Sequence, residues 1–365
     1  MINRRFIRKW FCAFLWAAVI FSHNSWAQEE EKKSPFSFSA FLDLYYGFDF
    51  NQPETEKRLP FLYNHTRHNT PAINLAVISG RFEQDRFRAN LALHQGSYVQ
   101  DNYAAEPEWL RWIHQANLGL ALDENKTIWL DAGVMPSHLG FESAVSKENS
   151  TLSRSLIAEN SPYFETGIKL GWEANEKWYL AAMYLNGWQR IQPIPGKNNP
   201  SFGTQATFSP SQNTTLNWST FLGTDSSLEA GTMIYFSNMY GIFSLGENLE
   251  LTLGLDAGKR TNELGSAQNW WGTAFIARYR FSDTFSSAIR YEYFHDPFQG
   301  ISYSSGEFGL EAGGVSLNLD QKISTWGLFR IEGRWLDSPV PFDQGISPAL
   351  SEDLFILGSL SVFWN

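Results

Sequence analysis

The feature that most constrains this chain is an alternation of apolar and polar residues with a period of two. Residues 249–257 read L-E-L-T-L-G-L-D-A, with Glu250, Thr252, Gly254 and Asp256 on the polar parity. This period predicts a strand with one apolar and one polar face. Nine residues at about 3.4 Å each, tilted by about 40°, span roughly 23–25 Å, which is the height of the apolar band of an outer-membrane barrel.

The alternation recurs along the chain and predicts an all-β fold. We expect a transmembrane antiparallel up-and-down β-barrel of about 16 strands, within a range of 14–18. An even number of strands places both termini on the periplasmic side. The predicted strands are 36–50, 74–82, 86–94, 114–122, 127–135, 164–172, 178–187, 202–208, 214–223, 232–244, 249–258, 270–281, 285–294, 309–319, 326–336 and 354–364.

The connections between these strands alternate in length. Bacterial outer-membrane barrels have tight periplasmic turns and long extracellular loops, so the alternation favours this class over a soluble β-sandwich. The short connections are 83–85, 123–126, 173–177, 209–213, 245–248, 282–284 and 320–325. The long ones are 51–73, 95–113, 136–163, 188–201, 224–231, 259–269, 295–308 and 337–353.

The N-terminal segment has the pattern of a targeting signal. Four basic residues within 4–9, an apolar core over 10–21 and the A-x-A-like 25–27 predict a cleaved signal peptide at 1–27. We expect a short periplasmic leader at 28–35 and the outer-membrane barrel at 36–365. The only cysteine, Cys12, lies inside the signal, so the mature chain has no disulfides and no thiol chemistry.

Composition narrows the class further. After the signal, 24 basic and 38 acidic residues leave a net charge of about −14, which argues against nucleic acid as a partner. No stretch of 18 apolar residues follows residue 30, so helical membrane spans are excluded.

Aromatic residues fall toward the predicted strand ends, as an interfacial girdle requires. They are Trp129, Trp172, Trp178, Trp218, Trp271, Tyr291, Tyr293, Trp326, Trp335 and Trp364.

The inward parity is rich in charge, and barrels of 16–18 strands leave an aqueous channel. The basic side chains concentrate on predicted strands 12, 13 and 15, and several acidic ones lie on strands 1, 5 and 11. Opposed charged walls would orient polar solutes, whereas the same residues could instead pair across neighbouring strands and stiffen the wall. The pore-lining candidates are Asp43, Asp49, Arg88, Asp131, Lys169, Glu250, Asp256, Arg278, Arg280, Arg290, Glu292, Arg330, Glu332 and Arg334.

Short strings of sequence across residues 36–365 resemble the OmpL-like family of outer-membrane β-barrel porins of Gram-negative bacteria. They are Ser153-Arg154-Ser155 with Ser161-Pro162-Tyr163 and Thr166-Gly167, Leu185-Asn186-Gly187-Trp188, Leu255-Asp256-Ala257-Gly258, Arg290-Tyr291-Glu292-Tyr293-Phe294 with Asp296, and Arg330-Ile331-Glu332-Gly333-Arg334 with Asp337-Ser338. The resemblance implies a passive diffusion pore for small hydrophilic solutes and ions. It implies no catalytic residues.

The third long connection, 136–163, is the longest, and it has helical character around 146–158. In general porins the third loop folds into the lumen and narrows it, so the resemblance implies a constriction here. The alternative is an external lid. The constriction-loop candidates are Glu142, Glu148, Arg154 and Glu159.

Other functions are weighed against the pore. A non-conducting barrel that serves as a surface receptor or adhesin is one alternative, because the long loops are polar. A barrel-embedded hydrolase is another, although no G-x-S-x-G elbow is present and we predict no enzymatic activity. His65 and His68 lie three residues apart in a predicted loop, where histidines are more often solvated than bound to a metal. We therefore expect no metal and no cofactor.

The expected partners follow from an outer-membrane location. They are outer-membrane lipid, small polar solutes or ions, and the outer-membrane assembly machinery, which would read the C-terminal strand. In that strand Gly358, Leu360, Val362 and Trp364 share one face, but Asn365 follows the usual terminal aromatic residue. Monomer and homotrimer remain open, because the sequence of one barrel does not reveal an interface.

Overall fold

A computed structural model describes residues 34–193, 200–224, 232–261, 266–302, 309–342 and 350–364. The chain divides into two compact units, Met1–Pro35 and Phe36–Asn365, and the second holds every strand discussed here. The predicted signal peptide lies outside the described residues. So does the predicted leader, apart from its last two residues.

Sixteen antiparallel strands form one closed barrel, in which each strand pairs with its neighbours in sequence and the first pairs with the last. The predicted fold class is therefore confirmed. The strands are β1 (Phe36–Asp49), β2 (Pro71–Gln84), β3 (Phe87–Gln95), β4 (Ile113–Ala121), β5 (Ile128–Pro136), β6 (Phe164–Asn175), β7 (Trp178–Leu185), β8 (Ser201–Ser211), β9 (Thr214–Gly223), β10 (Met233–Leu245), β11 (Leu249–Thr261), β12 (Ala267–Arg280), β13 (Phe285–Asp296), β14 (Leu310–Ser324), β15 (Gly327–Phe342) and β16 (Leu350–Trp364).

Closure joins β1 to β16 in a continuous register from Ala40 opposite Trp364 to Asp49 opposite Phe355. Each predicted strand overlaps one observed strand, but β15 and β16 extend further toward the long loops than predicted. The sequence 337–339 reads D-S-P, which resembles a turn, yet Asp337 pairs with Glu352. Backbone pairing continues there beyond the region in which an apolar outer face is required.

The two faces of the wall follow the predicted parity. Leu253 is 49% exposed on the outer face, whereas its neighbour Thr252 is 5% exposed on the inner face. The prediction that Trp129 belongs to the outer girdle is wrong. Its side chain has the inward parity of Asp131, is buried, and lies beneath the guanidinium of Arg88 at 4.0 Å.

The short connections lie at one end of the barrel, here named the turn end, and the long ones at the other, the loop end. Two of the long connections are loop L1 (residues 50–70) and loop L3 (residues 137–163). Two short α-helices occur in long connections, α1 (Ser97–Asn102) and α2 (Leu156–Glu159), and Ser146–Glu148 forms a 3-10 turn. Among the described residues, no helix is long and apolar enough to cross a membrane.

The prediction of helical character around 146–158 is right only at the ends of that segment. Between the 3-10 turn and α2 the backbone is irregular, and wall side chains bond its N–H groups. Asn318 accepts from Leu152 N at 3.0 Å and Glu332 accepts from Ser153 N at 2.5 Å. The wall thus satisfies groups that a continuous helix would satisfy internally.

The outer face gives a first prediction, on β14. Leu317 lies in the middle of this strand and Ile323 near its turn end, and both point outward. We expect Leu317→Arg to lower the free energy of unfolding in lipid vesicles by about 2–4 kcal/mol and Ile323→Arg by only about 0–1 kcal/mol, because the cost of a charge falls toward the interface. Equal losses for the two variants in urea titrations would contradict this placement of the bilayer.

Candidate functional site

The interior of the barrel contains a cluster of four charged side chains, Arg290 and Glu292 from β13 and Glu332 and Arg334 from β15. We name it the anchoring cluster. Arg290 lies 3.1 Å from both Glu292 and Glu332, and Arg334 lies 2.8 Å from Glu292. All four side chains are fully buried. The period of two brings them together, because residues 290 and 292 share the inward parity of β13, residues 332 and 334 share that of β15, and only β14 lies between these two strands.

The anchoring cluster is buried because loop L3 lies on it. Leu156 N donates to Glu292 at 2.7 Å, and Arg290 donates to the carbonyl oxygen of Ser153 at 2.6 Å. Arg334 donates to the carbonyl oxygen of Arg154 at 3.1 Å. Each charged group is therefore bonded both to its neighbours and to the loop backbone, which offsets the cost of removing it from water.

A third arginine, Arg330, holds the earlier part of L3. Arg330 pairs with Asp320 at 2.6 Å and donates to the carbonyl oxygens of Ser146 at 2.6 Å and Asn149 at 3.1 Å. The charged residues of β13 to β15 thus pair across the wall and also hold the loop. That these residues also create a transverse electric field in a conducting channel stays a prediction.

Apolar contacts complete the seat of L3. A Cβ atom added to Gly254 would lie 2.5 Å from Phe141 and 2.7 Å from Ile157, and one added to Gly272 would lie 2.6 Å from Ile157. These two glycines of the wall leave the space that the loop side chains occupy. L3 is therefore fixed against β11 to β15 by both ionic and steric fit.

Beside the seam where β1 pairs with β16, Asp43 of β1 joins both interior loops to the wall. Its carboxylate accepts from Ser146 of L3 at 2.8 Å, lies 2.9 Å from His65 Nε2 of L1, and accepts from Ser359 of β16. L1 buries its own apolar residues, including Leu59 and others between 59 and 62, in the same interior. The strand that closes the barrel is thus bonded to both loops.

The remaining pore-lining candidates lie on the inner parity and most have partners. Arg88 pairs with Asp131 at 2.6 Å, and Lys169 lies 3.8 Å from the same carboxylate. The other side-chain pairings are Asp49 with the backbone N–H of Asn51, Glu250 with Ser150, Asp256 with Asn238 and Arg278 with Asp320. Arg280 is exposed at the turn end. Their role in lining a pore stays a prediction.

The four constriction-loop candidates occupy different environments. Glu148 is exposed and Glu142 is half-buried, whereas Arg154 and Glu159 are 2% and 3% exposed. Glu159 accepts from Tyr63 N at 2.9 Å and from the Tyr163 hydroxyl at 2.6 Å. Burial raises the pKa of Glu159, although the nearby Arg154 opposes this shift. Contact of all four with solutes stays a prediction.

Three cavities adjoin on the side of the barrel that L3 leaves unfilled. The mouth cavity, about 410 Å³, is lined by the turn ends of β1 and β2, by the middle of β3 and by Gln115 of β4. The inner cavity, about 430 Å³, lies between these strands and L3 and shares Ser39, Ser79 and Gln115 with the mouth cavity. The outer cavity, about 940 Å³, is lined mainly by the long connections and shares Phe164 with the inner one.

Aromatic side chains separate the inner cavity from the outer one, and we name them the aromatic partition. Tyr103 stacks on Phe164 with ring centroids 4.2 Å apart, and Tyr63 contacts Tyr163 edge-on at 6.4 Å. Tyr98 contacts both Tyr103 and Tyr163. The aromatic partition therefore lies between the inner and outer cavities.

The start of L3 is held by His138. Its Nδ1 lies 2.7 Å from Glu165 and its Nε2 lies 2.9 Å from the carbonyl oxygen of Thr220. Because acceptors face both ring nitrogens, the protonated imidazole fits this position. Burial by itself lowers the pKa of His138, but the Glu165 carboxylate and these hydrogen bonds outweigh it, so the pKa is raised.

Several of these residues were missed by reasoning from sequence. Asp320 was readable, since it shares the inward parity of Ser316 and Asn318 on β14. The apolar run at 59–63 was a sign that L1 is buried. Nothing local marks His138 or the aromatic partition, because their partners are distant in sequence.

Within the parts of the chain that the structure describes, no group of three or more His, Cys, Asp or Glu side chains is placed to hold a metal ion. His94 and His114 approach each other at 3.2 Å between their Nδ1 atoms, as an isolated pair.

Residues 35–360 match the family described as "Putative beta-barrel porin-2, OmpL-like". The match covers most of the chain, so the chain belongs to this family of β-barrel porins. The resemblance noted in the sequence is therefore confirmed. No curated protein sequence is significantly similar to the chain.

Solved porin structures share the fold at low sequence identity. The anion-selective porin from Comamonas acidovorans superposes with a TM-score of 0.60 at 8% identity, over 90% of this chain and 99% of that one. OmpF of Salmonella typhi, in complex with daunomycin, superposes with a TM-score of 0.61 at 9% identity, over 90% of this chain and 97% of that one. The trimer form of OmpT of Vibrio cholerae superposes with a TM-score of 0.59 at 10% identity, over 90% of this chain and 99% of that one.

The steric fit of L3 gives a second prediction. We expect Gly254→Val to displace L3, because its side chain would overlap Phe141 and Ile157, and overpacking of this kind costs about 1–3 kcal/mol. Trypsin should then cleave after Lys147 and Arg154 faster than in the unmodified protein. Gly358→Val is the matched control, since no atom lies within 4 Å of its added Cβ. Equal trypsin resistance of the two variants would show that the glycine does not position the loop.

The contacts of His138 with Glu165 and Thr220 give a prediction on pH. The protonated imidazole stabilises the start of L3 fully below the ordinary histidine pKa of about 6.5, and this stabilisation is lost as the pH rises through the raised pKa of His138 in the folded state. Between about pH 6 and about pH 9, the resistance of L3 to proteolysis should therefore fall more in the unmodified protein than in His138→Gln. A parallel fall in both proteins would assign the pH dependence to other groups.

Proposed function

We propose that this chain is an outer-membrane porin that forms a water-filled channel for passive diffusion of small hydrophilic solutes and ions. The observation that carries the proposal is the series of three adjoining cavities inside a closed barrel of sixteen strands. Membership of the porin family supports it. The proposal includes no catalytic step.

The proposed route enters at the loop end through the outer cavity and passes the aromatic partition to the inner cavity. It then leaves through the mouth cavity between β1 and β4. Because L3 is seated on β11 to β15, the route is displaced toward β1 to β6. A bacterial outer-membrane location follows from this function, with the loop end extracellular and the turn end periplasmic.

We also propose that the partners are outer-membrane lipid, the assembly machinery that reads the C-terminal strand, and a second and third copy of the chain. The trimer form of OmpT, which shares the fold, supports a homotrimer. Apolar side chains cover the outer wall, as contact with lipid or with another barrel requires.

One observation favours a second candidate, a non-conducting barrel that serves as a surface receptor or adhesin. Apolar residues of L1 and L3, such as Leu62 and Leu152, form one buried cluster with inward residues of the wall, among them Phe236 and Phe355. This cluster fills part of the lumen and adjoins the cavities, since Leu62 also lines the outer cavity and Leu139 the inner one. The two candidates differ in a single measurable property, which is conductance.

The test is single-channel conductance of the folded protein, purified from outer membranes, in a planar bilayer. We expect stepwise, ohmic currents that fall when sugars are added, since solutes that enter the channel displace ions. Tyr163→Ala should raise the conductance because it opens the aromatic partition, whereas Tyr291→Ala, whose side chain is 60% exposed on the outer face, should leave it unchanged. A folded, heat-modifiable barrel that never conducts would overturn the pore and favour the receptor.

A further inference from the structure

One row of inward residues crosses four neighbouring strands near the turn end. Arg88 of β3, Gly119 of β4, Asp131 of β5 and Lys169 of β6 are successive register partners. A Cβ atom added to Gly119 would overlap Asp131 Oδ1 and lie 2.8 Å from Arg88 Nε, so this glycine leaves the space in which Arg88 reaches across β4. Arg88 donates from Nε and Nη2 to the two oxygens of Asp131 at 2.7 and 2.6 Å. The row thus places two cations beside one carboxylate.

A further cavity of about 210 Å³ opens beside this row, and we name it the turn-end cavity. Arg88 and Lys169 both line it, and their side chains are 25% and 26% exposed. The carboxylate between them, Asp131, is 4% exposed. A solute in this cavity therefore meets the two cations, whereas the anion that they share is covered.

Both cations have donors that remain available to a solute. Lys169 Nζ lies 3.8 Å from Asp131, beyond hydrogen-bond distance, and makes no hydrogen bond to any described residue. Arg88 uses Nε and Nη2 on Asp131, which leaves Nη1 without a bond to the described residues. Neither nitrogen is among the side-chain atoms that the protein encloses without a partner. These donors are thus open to the cavity rather than sealed in the wall.

Two aromatic side chains complete the wall of the turn-end cavity. Trp129 lies beneath the guanidinium of Arg88, with Cζ 4.0 Å from the ring centroid, and this contact fixes the orientation of the arginine. Tyr179 of β7 lies over Gly171 of β6, since a Cβ atom added there would be 2.7 Å from the tyrosine Oη. The phenol hydroxyl is a third donor at the cavity. The three donors come from three different strands.

The charge balance of the cavity favours an anion. Arg88 and Lys169 carry two positive charges and Asp131 carries one negative charge, which leaves an excess of one positive charge. Glu173 also lines the cavity, but it is exposed at the turn end. Four residues of strand separate it from Lys169, which is about 13 Å between Cα atoms and exceeds the Debye length of about 8 Å at physiological salt. Water and salt therefore screen this carboxylate.

We propose that the turn-end cavity is a binding site for small oxyanions of the phosphate class. Lys169 Nζ and Arg88 Nη1 donate charge-assisted hydrogen bonds to the oxyanion, and the Tyr179 hydroxyl donates a third. The volume suits such an ion together with a few waters, each of which occupies about 30 Å³. The inference rests on the proposed function only for the way in which the ion arrives, because equilibrium binding requires no conduction.

The test is calorimetric titration of the detergent-solubilised full barrel at low ionic strength with two probes of opposite charge. Inorganic phosphate is the anion, and tetramethylammonium is a cation of similar size. We expect saturable binding of phosphate and no binding of tetramethylammonium, because the accessible groups are donors. No binding of phosphate, or equal affinities for the two probes, would overturn the proposal.

Two variants test the site from different strands. Lys169→Gln should weaken phosphate binding about ten-fold or more, since it removes a charged donor, and Tyr179→Phe about five-fold, since it removes a neutral one. Arg280→Gln is the matched control, because Arg280 is a basic residue exposed at the turn end on β12 and does not line this cavity. Arg88 is left in place, since its removal would leave Asp131 buried without its partner.

The control separates a site from general attraction. Equal losses in Lys169→Gln and Arg280→Gln would assign the binding to the overall charge of the turn end and overturn the site. Lys169→Arg keeps the charge and should retain more of the affinity than Lys169→Gln. Heat-modifiable migration in gels checks that each variant is folded.

The outcome is distinguishable from that of the conductance experiment. A barrel that binds phosphate with this pattern of variants but never conducts would overturn the porin and leave the binding site. A barrel that conducts, but whose affinity for phosphate changes in neither Lys169→Gln nor Tyr179→Phe, would overturn the site and leave the porin.

Discussion

The interior of this barrel depends on the ionic contact between L3 and the anchoring cluster. Four charged side chains are fully buried on β13 and β15, and burial of this kind is tolerated only where every charge has partners. Ion pairs among the four side chains supply some of these partners, and the backbone of residues 153–156 supplies others. The charged wall and the loop therefore stabilise each other, because neither is satisfied alone in a wide barrel.

The position of L3 then decides where space is left inside the barrel. The loop covers β11 to β15, where Gly254 and Gly272 accept its side chains, and the unfilled space is left beside β1 to β6. The face of L3 that lines this space presents Glu142 and Arg154, whose other contacts fix them in place. One loop thus occupies part of the lumen and also lines the inner cavity.

Particular residues show how much of the structure could be predicted from the sequence. The parity of Arg330, Glu332 and Arg334 was readable, because an outward arginine is costly in a bilayer and the alternation leaves only one other face. The same parity placed Trp129 on the inner face, but its position near a strand end suggested the girdle instead. The helical character expected around 146–158 is confined to the ends of that segment, because distant wall groups such as Asn318 bond the loop backbone between them, and no local pattern records these groups.

The sequence by itself determined the sixteen strands, their two faces and the alternation of short and long connections. These features follow from the local period of two and from the cost of charge in lipid, so each strand carries its own signal. Only the tertiary structure decided that L1 and L3 lie inside the barrel, that His138 meets Glu165, and that the cavities adjoin at Phe164. These contacts join residues that are distant along the chain, and closure of the barrel is what brings them together.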